Sequence, residues 1–305
     1  MKSIACLVVL CAPVLAAPKP PLCTSSSDDP HLVATDDAIT LCVGDKGDCL
    51  LLGKTDNNRK AVPRPALAKP AAEVRDEAGK LSVCAGATCK PVGKQLAAMI
   101  GKAKQKLAAA PPDETNPTPI RLYATSDLAL VGMDLNVGEG VDRIQLWSVA
   151  KDKRLSPKSP AEYKKTGERG SLMAFHVVGP TLIAEWSACA GPCSEGVLVD
   201  ASGATKGTWF PAGDAVALDA TRIVVIPSGA SGTLTIVETK SGKHLGSLPL
   251  GDGTSAILRS AAVKLPGDDF AAFYDDGTAM KVSRFSAPAG KPPALVWTQA
   301  LEACP

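Results

Sequence analysis

Short apolar runs separated by turn residues fill the chain from residue 31 onward. Residues 39–43 lead through Gly44-Asp45-Lys46-Gly47 into 50–52, and residues 81–83 lead into Ala85-Gly86-Ala87. Runs at 120–123 and 128–131 precede a glycine-rich turn at 138–140, and 144–149 follows it. Residues 182–186 pass through Gly191-Pro192 to 197–199, and 223–226 pass through Ser228-Gly229 to 234–237. Residues 270–274 pass through Asp275-Asp276-Gly277 to 280–282. Runs this short, with turns this frequent, predict the strands of a sandwich, a barrel or a propeller. One stretch differs. Leu96, Met99, Ile100, Ala103 and Leu107 recur at helical spacing, with Lys94, Lys102, Lys104 and Lys106 between them and Pro111-Pro112 behind. That pattern predicts an amphipathic helix, which Gly101 weakens by up to about 1 kcal/mol relative to alanine.

A repeat chooses among the β architectures. Ser202-Gly203 followed by Gly207-Thr208-Trp209 matches Ser241-Gly242 followed by Gly246-Ser247-Leu248 in the same register. Val199-Asp200 and Val237-Glu238 stand just upstream of the two copies. The period is about 40 residues, the length of one four-stranded blade. The fold expected is therefore all-β: a β-propeller of about six four-stranded blades, seven being the alternative count, with one inserted amphipathic helix. Runs such as Ile223-Val224-Val225-Ile226 are apolar on both faces, as a strand sandwiched between neighbouring sheets must be. The repeat resembles the quinoprotein-type and related β-propeller repeats of exported bacterial proteins. The resemblance is clearest over residues 172–248, and the Trp-Asp signature of the best-known propeller repeat is absent.

The N-terminus adds a destination. Lys2, an apolar stretch at 4–14 and the small-residue pattern Val14-Leu15-Ala16 read as a signal peptide over residues 1–16. The apolar stretch is too short to span a bilayer, which takes roughly 20 residues. The expected organisation is signal peptide 1–16, flexible leader 17–30 and propeller 31–304, with the helix and a proline-rich tether inserted at 92–119. The mature chain is expected in the periplasm or outside the cell. A hydrophobic fraction of 45% with only 4% aromatics leaves the core to Val, Leu, Ile and Ala. A formal net charge of +2 gives no ground for nucleic-acid or membrane binding.

Removing Cys6 and Cys11 with the signal leaves eight cysteines, an even number, as a disulfide framework needs. Cys42 with Cys49, Cys84 with Cys89, and Cys189 with Cys193 enclose six, four and three residues, which suits bridges near hairpin tips. Each would add roughly 2 kcal/mol in the chain-entropy model. Cys23 and Cys304 bracket the rest, and their bond would fasten the seam where the first blade meets the last, with roughly 5 kcal/mol as an upper bound. A zinc site built from Cys42, Cys49, Cys84 and Cys89 is disfavoured, because the first pair is too widely spaced.

Candidate chemistry is thin. His176 reads as a core or blade-edge residue, His31 as part of the leader beside Asp28-Asp29, and His244 as part of a turn. No nucleophile elbow, P-loop or dinucleotide fingerprint is present, and no cofactor or metal site is expected. The acidic pairs Asp28-Asp29, Asp36-Asp37, Asp268-Asp269 and Asp275-Asp276 read as turn chemistry. The lysines of the helix read as a solvated face rather than a membrane-binding one. The function expected is a non-enzymatic binding or scaffold module. Its protein or small-molecule partner would dock on the face carrying Cys42, Cys84 and Cys189, and the chain would be a monomer. The alternative is a hydrolase or lyase with carboxylates in a central funnel, decided by which side chains converge near the axis.

Overall fold

The computed structural model describes residues 30–35, 38–43, 49–54, 59–66, 72–77, 79–108, 120–134, 144–158, 171–187 and 194–301. Strands follow one another as antiparallel meanders, each built from one continuous stretch of chain. Sheet 1 holds β1 (Pro30–Thr35), β2 (Ala38–Val43), β3 (Cys49–Leu52) and β4 (Lys60–Val62). Sheet 2 holds β5 (Glu73–Glu77), β6 (Lys80–Ala85) and β7 (Thr88–Pro91), and the helix α1 (Lys94–Ala108) follows it. Sheet 3 holds β8 (Arg121–Ala124), β9 (Leu130–Asp134), β10 (Ile144–Ser148) and β11 (Lys153–Leu155). Sheet 4 holds β12 (Leu172–Val178), β13 (Thr181–Ser187), β14 (Ser194–Val199) and β15 (Thr205–Pro211). Sheet 5 holds β16 (Gly213–Ala217), β17 (Arg222–Pro227), β19 (Thr233–Glu238) and β20 (His244–Pro249). Sheet 6 holds β22 (Arg259–Lys264), β23 (Asp269–Asp275), β24 (Met280–Ser286) and β25 (Ala294–Leu301). A small two-stranded sheet pairs β18 (Ala230–Ser231) with β21 (Ala256–Ile257).

The first strand of each sheet lies innermost. Going round, β5 lies beside β8, β8 beside β12, β12 beside β16, β16 beside β22, and β22 beside β1. The inner strands are largely half-buried, whereas the second strands are almost wholly buried. That is the arrangement of a six-sheet β-propeller. Sheet 2 has three strands among the described residues, where four were expected.

Side-chain alternation explains why the second strands must be apolar throughout. On β17, Ile223 and Val225 pack toward sheet 4, while Val224 and Ile226 pack toward sheet 6. On β23, Phe270, Ala272 and Tyr274 face sheet 5, while Ala271 and Phe273 face sheet 1. On β13, Leu182, Ala184 and Trp186 face sheet 3, and Ile183 faces sheet 5. Successive strand residues point to opposite faces, so each sheet feeds two interfaces at once. Each fully buried Leu, Ile, Val or Phe contributes about 1.5–3 kcal/mol.

The junction between the first and last sheets differs from the weak seam expected there. Ile39, Leu41, Leu50 and Leu52 of sheet 1 share one buried cluster with Ala261, Ala271, Phe273, Val282 and Leu301 of sheet 6. The Arg59 guanidinium also donates to the Ala300 carbonyl across this junction. Complementary apolar faces close the ring without a shared strand. Among the described residues, no buried cluster joins sheet 1 to sheet 2.

The repeated glycines lock the outer rim. A Cβ on Gly207 of β15 would lie 2.3 Å from the Gly242 carbonyl oxygen in the β19–β20 turn of sheet 5. The Thr208 amide donates to that oxygen at 3.4 Å. One period away on each side, a Cβ on Gly203 would meet Leu155 of sheet 3 at 2.9 Å, and one on Gly246 would meet Pro293 of sheet 6 at 3.0 Å. In sheets 4–6 the turn before the outer strand thus leans on the outer strand of the preceding sheet. The repeat in the sequence is the imprint of that contact.

The helix fills the junction of sheets 2 and 3. Leu96, Ile100 and Ala103 are buried with Val83 of sheet 2 and Val131, Met133 and Trp147 of sheet 3. Its first turn is capped from a distance. The Asp152 carboxylate, in the β10–β11 turn, accepts from the Gln95 and Leu96 amides at 2.8 and 3.0 Å. This satisfies two of the amides that a helix start leaves without intrahelical partners.

Candidate functional site

Two features are placed by this architecture: a face carrying disulfides and a few ionisable groups on or beside the inner strands. Cys42 and Cys49 are bonded across the β2–β3 connection, with Cα atoms 4.5 Å apart. Cys84 and Cys89 are bonded across the β6–β7 hairpin, at directly opposed positions with Cα atoms 4.1 Å apart. Both bridges join the second and third strands of a sheet, so both stand on one face of the ring. Arg75 donates to the Gly86 carbonyl at 3.2 Å and so pins the second hairpin tip. Arg64 does the same for the Val43 carbonyl at 3.2 Å. With all four thiols oxidised, these cysteines have no thiolate to offer a zinc ion. Cys189 and Cys193 fall between β13 and β14, and they lie outside the described residues together with Cys23 and Cys304.

The inner strands carry ionisable groups as well as apolar ones. His176 on β12 lies 2.6 Å through Nε2 from Oε2 of Glu185 on the adjacent strand β13. Burial alone would raise the Glu185 pKa, but the His176 contact and a hydrogen bond with Ser194 overturn that and hold it below the usual carboxylate range. Asp214 on β16 accepts from the Ala262 amide of β22 at 2.6 Å and from the Ala215 amide at 3.0 Å. Its carboxylate thus ties the inner edges of sheets 5 and 6. Burial pushes the Asp214 pKa up, opposed by the Ala262 hydrogen bond and by the nearby charges of His176 and His31. His31 and Asp214 are each the second residue of an inner strand, which sets both toward the disulfide face.

The His176–Glu185 pair faces sheet 5, whereas Asp214 faces sheet 6, so the two carboxyls are held by different partners. Sequence reasoning missed Glu185 and Asp214. His31, expected in the leader, stands on β1 opposite Cys42, because β1 already begins at Pro30. His244, expected in a turn, lies on β20 with its ring edge-on to Phe210, the centroids 6.0 Å apart.

The acidic pairs that the structure describes serve as ties. Asp268 meets Arg222 at 3.0 Å and Asp269 meets Arg284 at 2.7 Å. Asp275 meets Arg259 at 3.0 Å and Asp276 meets Lys281 at 2.9 Å. Arg222 also reaches Asp219 at 2.6 Å and the Ala287 carbonyl at 2.7 Å, which stitches sheet 5 to sheet 6. The hydrogen bonds to Thr221 and the Arg222 pair outweigh burial at Asp219 and bring its pKa down to about 2. Asp28-Asp29 and Asp36-Asp37 lie outside the described residues. Among the described residues, no three His, Cys, Asp or Glu side chains assemble as a metal-ligand set. On the helix, Lys104 pairs with Asp76 at 2.5 Å.

No family model and no curated protein matches the sequence. Among solved structures, Hsv2 of Kluyveromyces lactis is similar over 90% of this chain and 86% of its own length, at 9% identity and a TM-score of 0.39. AztD of Citrobacter koseri is similar over 90% of this chain and 72% of its own, at 14% identity and a TM-score of 0.39. BamB of Moraxella catarrhalis covers 62% of this chain and 48% of its own, at 14% identity and a TM-score of 0.30. Likeness at this level bears on neither ligand nor activity.

Proposed function

We propose that the chain is an exported, non-enzymatic binding or scaffold module that receives a partner on its disulfide-bearing face. The observation that supports this reading is the placement of both bridges, Cys42–Cys49 and Cys84–Cys89, in connections between second and third strands. Loops fixed before binding lose less conformational freedom on binding, so more of the contact energy appears as affinity. Export rests on the signal-like residues 1–16 and on the use of cysteine in disulfides. No helix among the described residues is long and apolar enough to cross a membrane. The test compares baits with the oxidised chain. Substituting Gly86 and Ala87 at the hairpin tip is expected to abolish capture of exported partners, while substituting Lys240 and Lys243 on the opposite face leaves it intact. Undiminished capture by the tip variant contradicts the reading.

The Cys23–Cys304 bond belongs to the same proposal. Six residues separate Cys23 from the start of β1 at Pro30, and two separate Leu301 at the end of β25 from Cys304. Both strand ends stand on the disulfide face, in adjacent sheets. Extended chain reaches about 3.3–3.6 Å per residue, enough to bring the two thiols together across a four-stranded sheet. Peptide mapping of the oxidised protein is expected to recover the two terminal peptides linked. Free thiols there, or other partners, would remove the clasp.

The enzyme reading keeps one specific support, the His176–Glu185 pair between the first and second strands of sheet 4. A screen of hydrolytic and eliminative substrates decides it: turnover that Glu185→Gln abolishes would replace the binding-module reading.

A further inference from the structure

The outermost strands differ sharply in how they are protected. A sheet edge displays backbone N–H and C=O groups that can pair with another chain, and soluble proteins guard it with short strands, charge, proline or glycine breaks. Strand β4 is three residues long, and β11 is three residues with two cations. Strand β7 carries Lys90 and Pro91. Strand β15 carries Lys206, Gly207 and Pro211, and β20 carries His244, Gly246 and Pro249. Strand β25 is eight residues long, ALVWTQAL, without charge, glycine or proline. Its remaining guard is a register shift at Val296. There Ala294, Leu295 and Val296 are exposed in succession instead of alternating, with Leu295 at 51% and Val296 at 49%. Leu245 of β20, exposed at 43%, extends the apolar rim, because a Cβ on its neighbour Gly246 would touch Pro293 just ahead of β25.

We infer that β25 is a self-association edge, which pairs antiparallel with β25 of a second copy about a two-fold axis. The occupant follows from charge. Antiparallel pairing of β25 with itself sets no charge opposite a like charge, whereas end-to-end self-pairing of β11 sets Arg154 against Arg154. The whole chain carries a formal net charge of only +2, so two copies repel each other weakly. Arg59 already occupies the Ala300 carbonyl, which confines the pairing to the N-terminal part of the strand, where the apolar side chains are exposed. An isologous contact of this kind closes at two copies. It departs from the monomer expected from sequence, because an edge is visible only once the strand order is known. It uses the outer rim and leaves both disulfide faces open.

Sedimentation velocity on the oxidised full chain tests this. The mass is expected to double as concentration rises from micromolar toward millimolar. Val296→Lys and Leu295→Lys should each weaken self-association by at least about tenfold, with unchanged unfolding temperature since both side chains are half-exposed. A single monomer mass at every concentration overturns the inference. So does a dimer that persists unchanged in both variants, which would place the contact elsewhere.

Discussion

Sheets 4–6 and sheets 1–2 are held together by different means. In sheet 4 the strands run to seven, seven, six and seven residues, and in sheet 6 to six, seven, seven and eight. Sheet 1 has strands of six, six, four and three residues, and sheet 2 of five, six and four. Buried apolar area grows with strand length, so the long-stranded half can rely on packing, on the Gly207–Gly242 lock and on the Arg222 tie. The short-stranded half carries both of the described disulfides. A cross-link acts by restricting the unfolded chain, so it adds stability without adding core. Among the described residues, both staples lie in sheets 1 and 2, while sheet 3, with strands of four, five, five and three residues, has the helix packed against it.

The largest effect is expected from the packed half. Gly207→Ala should cost roughly 3 kcal/mol, combining a left-handed backbone with a clash against a neighbouring carbonyl. Gly267→Ala, also at positive φ but with nothing within 4 Å of its Cβ, isolates the strain alone and should cost roughly 1–2 kcal/mol. Chemical denaturation of the two variants checks the difference; equal losses would dissolve the lock. In the stapled half, replacing Cys84 and Cys89 together by serine should cost about 2 kcal/mol, read from the same transition. A smaller loss there than for a core change such as Phe273→Ala, about 3–5 kcal/mol, would sharpen the contrast.

The lock was legible in the sequence because backbone against backbone admits only glycine, and the pattern recurs at one-blade spacing. The two-sided apolar strands such as 223–226 were legible for a similar reason. Asp214 was not. Its partner is the Ala262 amide on another sheet, and no local pattern marks a carboxylate that must reach it. Asp152 was hidden in the same way, since it caps the helix through the Gln95 amide, 57 residues earlier. The seam was misplaced because the sequence shows where chain ends lie but not which apolar faces match. Leu41 and Phe273 meet only in the closed ring.

Asp152→Ala should cost about 1–2 kcal/mol through loss of the cap, while Asp152→Asn, with one acceptor oxygen for two amides, should lose a smaller part. Helical ellipticity during unfolding reports this. The last effect is a slope rather than a level. A carboxyl whose pKa is raised in the folded state favours folding below its ordinary value of 3.8, and that contribution is lost as pH rises through the folded-state pKa. Asp214→Asn should therefore flatten the decline in melting temperature between acid and neutral pH. An unchanged profile would show that Asp214 meets solvent freely.

The first and last sheets meet as neighbours in the ring. Pulsed electron-paramagnetic distance measurement between spin labels at Lys60→Cys on β4 and Ala300→Cys on β25 tests it most directly, with the native disulfides kept oxidised. One narrow, short separation is expected for strands on either side of a packed junction. A broad or long distribution would contradict it.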